Sequence, residues 1–251
     1  MLKTISIIGF GNLGSHLHQM FVENGIARVV QIIVHRDRDS PVERGCMVSW
    51  EKAEKTDVYF LAVPDQKIAE VAHAIPNSNA LVIHSSGALP LAIIPKQKRG
   101  VLYPLQSFTK GTETSYNRIP FFIEASDADS AAFLEELTAH IARKGQYLAS
   151  AQRLRLHLAA VLGNNFVNHL LYLSQNELAH IGIDFHALAP LVDTTLQKAF
   201  AIGPQAAQTG PAMRRDRETI KKHLDLMGDK KLRAIYTAMT QSIIEGHERE
   251  L

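Results

Sequence analysis

The chain has a single cysteine, Cys46, among 251 residues. One thiol cannot build an internal disulfide framework, and such usage fits a reducing compartment. With no cysteine or histidine neighbour at ligand spacing, Cys46 reads as a small apolar residue in a short strand. Neither sign of charge is in excess: 27 Lys and Arg stand against 25 Asp and Glu, a formal net charge of +2. That balance removes the electrostatic case for a nucleic acid or a membrane surface as partner. No apolar run approaches the roughly 18 residues of a membrane span. No leader pattern precedes the first strand-like segment. Internal repeats and low-complexity linkers are missing as well. The twelve histidines are scattered, without the i, i+4 pairing of H-E-x-x-H, so no metal site is expected. These absences together predict a cytoplasmic protein.

What is present is the balance of a globular chain, 46% hydrophobic and 21% charged, long enough for one large domain or two smaller ones. Its most informative stretch comes first. The apolar segment Thr4-Ile5-Ser6-Ile7-Ile8 runs into Gly9-Phe10-Gly11-Asn12-Leu13-Gly14, and a helix-like run follows from Ser15 to Asn24. This is G-x-G-x-x-G after a strand and opening a helix, the setting in which the pattern carries meaning. Gly9 serves the tight turn, Gly11 leaves the backbone bare where a pyrophosphate approaches, and Gly14 lets helix and strand lie close. With Asn12 and Leu13, they offer free N–H groups and a positive dipole end to the phosphates. The alternative is a glycine turn in an ordinary α/β domain that binds nothing.

Gly25 stops the first helix, and Val29 to Val34 reads as a second buried strand. At its end an NAD-binding chain tends to place a carboxylate for the ribose hydroxyls. Here the residues are His35-Arg36-Asp37-Arg38-Asp39-Ser40. Guanidinium groups suit a 2′-phosphate, which favours NADP, with Arg36 a better candidate than Arg38. Asp37 and Asp39 count the other way, and a solvated loop of alternating charge is the bland reading. Cys46-Met47-Val48 is a candidate third strand. Val58 to Val63 is the next strong one, ending at Pro64-Asp65, with Asp65 placed to cap a helix from Gln66 to Ala74. The loop Ala62-Val63-Pro64 then lies at the carboxyl edge of the sheet, where cofactors bind.

Ala80 to Ile83 gives another strand, followed by His84-Ser85-Ser86-Gly87, the densest polar cluster of this half. Its hydroxyls suit a substrate carboxylate or a nicotinamide amide, and His84 is a candidate proton donor. A turn whose serines bond to local backbone is the competing reading. Further strands are expected at Val101–Tyr103, Phe121–Ala125 and Gln146–Leu148, with a helix over Asp127–Lys144. This alternation predicts a doubly wound parallel sheet over residues 1–150, with room for an antiparallel pair late in the order.

From Ala151 the strand pattern stops. A helix of about 28 residues is expected to His180, apolar on most sides and therefore buried between neighbours. His157, Asn164 and Asn168 fall at i, i+7 and i+11, one face of a straight α-helix, with Val161 between them. Their partners are each other, a neighbouring helix or a ligand. Helices over His186–Ala201, Arg217–Met227 and Lys230–Glu245 follow. Thr209-Gly210-Pro211 leads through Arg214-Arg215 to Asp216, a structured loop suited to an anion, with Asp216 capping the next helix.

On Gly9 to Gly14, Leu61-Ala62-Val63-Pro64, His84-Ser85-Ser86-Gly87, Pro104-Leu105-Gln106, Asn164-Asn165, Gly210-Pro211 with Arg215-Asp216, and His223-Leu224, the chain resembles a known superfamily over almost its whole length. That superfamily includes pyrroline-5-carboxylate reductase, 6-phosphogluconate dehydrogenase and the β-hydroxyacid dehydrogenases; the match looks best to a branch described as candidate NADP oxidoreductases. The resemblance implies a Rossmann domain over 1–150 and an all-α domain over 151–251, of the kind found at the C-terminus of 6-phosphogluconate dehydrogenase. It also implies a cofactor lying across the glycine loop, a substrate pocket completed by the helical domain, and a homodimer formed through that domain. One departure stands out. The β-hydroxyacid dehydrogenases place a lysine three residues before the paired asparagines as general acid/base, and here that position is Val161. His157, a helical turn earlier, has the pKa to take that part.

The resulting expectation is an NADP-dependent oxidoreductase that moves hydride between nicotinamide and a small C=O or C=N substrate. Gly9, Gly11, Asn12, Leu13 and Gly14 would hold the pyrophosphate, and His35 and Arg36 the 2′-phosphate end. Ala62, Val63, Pro64 and Ser85 would contact the cofactor, with His157, His84 and Asn164 in catalytic positions. The alternative is a nucleotide-binding sensor that kept the fold and lost catalysis, which the missing lysine would favour. Reduction of NADP by a deazaflavin is a third possibility, and it would require a second broad cofactor groove.

Overall fold

The computed structural model describes residues 3–23, 25, 28–34, 47–77, 79–142 and 144–248. His35, Arg36, Asp37, Arg38, Asp39 and Cys46, all singled out above, lie outside the described residues. The chain divides into two units, Met1–Gly163 and Asn164–Leu251.

In the first unit, β1 (Thr4–Ile8) leads into α1 (Asn12–Glu23), β2 (Arg28–Ile33), the short β3 (Met47–Val48) and β4 (Val58–Leu61). Then follow α2 (Ile68–Ala74), β5 (Leu81–His84), β6 (Arg99–Pro104), β7 (Phe121–Ala125), α3 (Ala128–Ile141), β8 (Gln146–Tyr147) and α4 (Ser150–Ala160). The strands form one sheet in the order β3-β2-β1-β4-β5-β6-β7-β8. Its first six strands have the doubly wound order, which reverses between β1 and β4. The pairings are parallel except β6 with β7, the late antiparallel pair.

The continuous apolar runs follow from cover on both faces. Val58 and Phe60 join one core with Ile5, Ile7, Leu17 and Phe21. Tyr59 and Leu61 point the other way, into a second core with Ile8, Ile33, Ile68 and Ala72. Helix α1 buries Gly14, Leu17 and Phe21, one stripe at 3.6-residue spacing, and the Phe21 ring meets that of Phe60 at 4.9 Å.

Helix α1 begins at Asn12, inside the glycine motif and not at Ser15. Asp65 does not cap a helix. It begins a 3-10 turn, Asp65–Lys67, whose preceding residue, Pro64, makes no side-chain cap. Helix α4 falls within the first unit, tied to β7 by Ser150 and Arg153, both of which bond to Glu124.

The helical run that starts with α4 is not α-helical throughout. Val161–Phe166 is π-helical, and α5 (Val167–Ala179) follows it. A π turn holds more residues than an α turn, so i, i+7, i+11 spacing no longer marks a single face across it. Nor is the run buried: Leu154, Leu158, Leu162 and Phe166 are each at least half exposed. The second unit continues with α6 (Ala189–Ile202), α7 (Arg217–Leu226) and α8 (Lys230–Glu248). Asp216 caps α7 as expected, accepting from the Thr219 N–H at 3.0 Å. No helix among the described residues is long and apolar enough to cross a membrane.

Candidate functional site

The carboxyl ends of β1 and β4 meet at two glycines. Gly9 has φ +98°, and a Cβ there would sit 2.4 Å from the Ala62 carbonyl oxygen. Its N–H donates to the Ile33 carbonyl at 2.9 Å, while the Ala62 N–H donates to Ile8 at 2.8 Å. A Cβ on Gly14 would lie 2.2 Å from the Gly9 carbonyl oxygen. Backbone therefore packs on backbone where either glycine stands. Gly11 differs: nothing lies within 4 Å of where its Cβ would be.

The first intrahelical bond of α1 runs from the Ser15 N–H to the Gly11 carbonyl at 3.1 Å. The N–H groups of Asn12, Leu13 and Gly14 consequently have no helical acceptor. No acidic residue occupies that first turn. Open space, unpaired donors and a positive dipole end fit a diphosphate. Beside this turn is a cavity of about 510 Å³, lined by Gly9, Val34, Trp50, Val63, Pro64 and Lys67 among others. It opens where the strand order reverses, the position at which doubly wound sheets bind ligands.

The turn after β5 is built around buried polar groups. His84 is completely buried, and its Nδ1 accepts from the Ser86 N–H at 3.1 Å. Burial, helped by the Arg153 charge, pushes its pKa down to about 4. The ring is thus neutral near neutrality, with its proton on Nε2. Among the described residues, neither His84 Nε2 nor the buried Ser85 hydroxyl has a hydrogen-bond partner within bonding geometry. Ser86 holds the turn: its hydroxyl donates to Asp65 Oδ2 at 2.7 Å and accepts from the N–H groups of Ala88 and Leu89.

Helix α4 carries two side chains to this turn. Arg153, 1% exposed, donates from Nε to the Ser86 carbonyl at 3.2 Å and from a terminal nitrogen to the Leu89 carbonyl at 2.6 Å. It also meets Glu124 Oε2 on β7 at 2.5 Å. Glu124 in turn accepts from the Ser150 N–H and hydroxyl. One buried ion pair thereby joins β7, α4 and the turn after β5. The second side chain is His157. A Cβ on Gly87 would lie 2.7 Å from its ring, so only glycine leaves room there. His157 Nδ1 is 3.3 Å from the hydroxyl of Tyr103, whose own pKa is raised by burial.

The structure thus gathers Gly9, Gly11, Asn12, Leu13, Gly14, Ala62, Val63 and Pro64 at one end of the sheet edge. His84, Ser85 and His157 cluster around the turn after β5. Burial disfavours the imidazolium of His84, which enters the cluster as a neutral ring. Asn164 lies in the second unit, in the π-helical turn, and is exposed there, as is Asn168. The expected burial of those amides is not found. His35 and Arg36 fall outside the described residues. Arg153, Glu124 and Tyr103 were not legible as site residues, because nothing separates Arg153 from Arg155 in the polar start of α4.

Residues 4–86 match the domain described as NADP oxidoreductase, coenzyme F420-dependent, and residues 119–243 match a domain of unknown function, DUF2520. No curated protein matches the chain. Among solved structures, a candidate NADP oxidoreductase from Bacteroides fragilis is 31% identical, with a TM-score of 0.86, over 97% of this chain and 98% of that one. A Thermotoga maritima protein is 22% identical, with a TM-score of 0.75, over 96% and 99%. The fold is shared with pyrroline carboxylate reductase of Plasmodium falciparum, with NADP bound, at 10% identity and a TM-score of 0.61 over 97% and 96%. With a Rossmann-type sheet that ends in an open glycine turn and a helical unit after it, the chain belongs to the family of NADP oxidoreductases.

Proposed function

We propose that this enzyme transfers hydride between NADP and a small substrate bearing a C=O or C=N group. The observation that carries the reading is the turn at Gly9–Gly14, closed by backbone contact on both sides and open only above Gly11. There the Asn12, Leu13 and Gly14 N–H groups bind the diphosphate, and the cavity beside Trp50 takes the adenosine end. Arg36 grips the 2′-phosphate. When bound, the cofactor supplies the hydride. The unpartnered Ser85 hydroxyl orients a polar group of the ligand at the end of β5. His157, with Nδ1 turned to Tyr103, exchanges a proton through Nε2. Its ring is held by Gly87 and Tyr103 in a half-buried position, and His84 backs the turn as a neutral ring. The fold also serves a pyrroline carboxylate reductase and a reductive aminase, which supports trying C=N substrates first.

We infer in addition that the second unit pairs with a second copy of the chain. Ten of the fifteen exposed large apolar side chains among the described residues lie in that unit, from Phe166 onward.

Titration with NADPH and with NADH, followed by nicotinamide fluorescence, tests the cofactor; uptake of NADPH with little of NADH is expected. A panel of imino and keto acids, followed at the nicotinamide absorbance, then tests the reaction. Replacing His157 by Ala should abolish turnover with NADPH affinity intact. An unchanged rate removes His157 from the chemistry, and failure to bind NADPH removes the reading itself.

A further inference from the structure

The phosphate-binding turn has a neighbour from a distant part of the sequence. After β6, residues 105–114 run to α1 and are tied there through a buried imidazole. The His16 ring is 2% exposed and bonded at both nitrogens, Nδ1 to the Tyr116 hydroxyl at 2.9 Å and Nε2 to the Thr109 carbonyl at 2.8 Å. A carbonyl only accepts, so Nε2 carries the proton and the Tyr116 hydroxyl donates to Nδ1. Phe108 packs on the same ring with centroids 4.8 Å apart. One residue past Thr109, the Lys110 N–H donates to Asn12 Oδ1 at 3.1 Å, and Thr112 closes the turn on the Thr109 carbonyl. The Asn12 side chain is thereby committed to this strap.

The tie delivers one charge. Lys110 Nζ lies 4.3 Å from the centroid of the Phe10 ring, the residue between Gly9 and Gly11. Among the described residues its ammonium pairs with no carboxylate. This exposed cation and the positive end of α1 therefore stand on the border of the same open space, where an entering anion meets both.

We propose that Lys110 is a cofactor-binding residue, its ammonium neutralising the diphosphate held by the N–H groups of α1, with His16 and Asn12 as the positioning residues that bring it there. The proposal rests on the reading of the Gly9–Gly14 turn as the NADP site. It adds a cation from residue 110 to a turn whose own groups are neutral backbone donors.

NADPH fluorescence titration of the full chain tests it with Lys110→Met and Lys110→Arg. Affinity should fall roughly tenfold in Lys110→Met, as for a lost hydrogen bond to a charged group, and be retained in Lys110→Arg. The deficit should shrink as salt is raised, because an exposed charge pair is screened. Adenosine 2′-monophosphate, which lacks the diphosphate, should bind wild type and Lys110→Met alike. Equal NADPH affinity in wild type and Lys110→Met overturns the proposal and leaves the cofactor site standing. Equal losses for NADPH and adenosine 2′-monophosphate overturn it by moving Lys110 to the other phosphate. Failure of the wild type to bind NADPH overturns the site and the proposal together.

Discussion

At the scale of single residues, the three glycines of the opening motif have separate costs. A side chain at Gly11 meets no atom of the folded chain, whereas one at Gly14 meets a carbonyl oxygen at 2.2 Å. Gly11→Val should therefore melt within a degree or two of wild type and lose NADPH binding, measured by calorimetry and fluorescence titration. Gly14→Ala should lose about 3 kcal/mol of stability, the upper end of overpacking costs. If Gly11→Val bound NADPH normally, the diphosphate would not rest there. The sequence pattern made these tasks legible because spacing alone encodes them. It could not show Lys110, which reaches the same place from almost a hundred residues away through a buried histidine. It also misplaced Asp65: a carboxylate before a helix reads as a cap, but here it faces the Ser86 hydroxyl in tertiary packing.

At the scale of elements, β5 ends on a residue that cannot be charged in place. His84 keeps a pKa of about 4 in the folded chain, against roughly 6.5 when unfolded. Between these values the unfolded chain binds the extra proton, so stability falls as pH falls. The loss begins near pH 6.5 and is complete below about pH 4, at about 3 kcal/mol. Denaturant unfolding at several pH values should show this slope in wild type and a shallower one in His84→Asn; identical slopes would remove the buried imidazole as the cause. Most strands were readable as short apolar runs, and even the two-residue β3 and the exposed β8, Gln146–Tyr147, fell within the segments expected. The π-helical turn at Val161–Phe166 was not, since a shift from α to π bonding leaves no mark in composition. Face arguments that crossed it, from His157 to Asn164 and Asn168, lost their footing for that reason.

At the scale of the whole molecule, the first unit is built on two cores and the second shows its apolar side chains. Phe200 is 90% exposed and Leu191 64%. This is the surface that the proposed pairing would cover. Sedimentation should give a mass near twice 27.8 kDa, and Phe200→Glu should shift it toward the monomer. A wild type that sediments as a monomer at micromolar concentration would sink the pairing. The expectation that the long helix is buried was right about its composition and wrong about the single chain, where Leu154, Leu158, Leu162 and Phe166 are exposed.

The chain has one tryptophan, Trp50, and it lines the cavity beside Gly9. All indole emission from this enzyme thus originates at a single address, the cavity proposed to take the nucleotide. An ordinary ultraviolet spectrum of the unlabelled polypeptide is accordingly a local measurement, and occupancy can be followed by eye of the spectrometer without dye, tag or substrate.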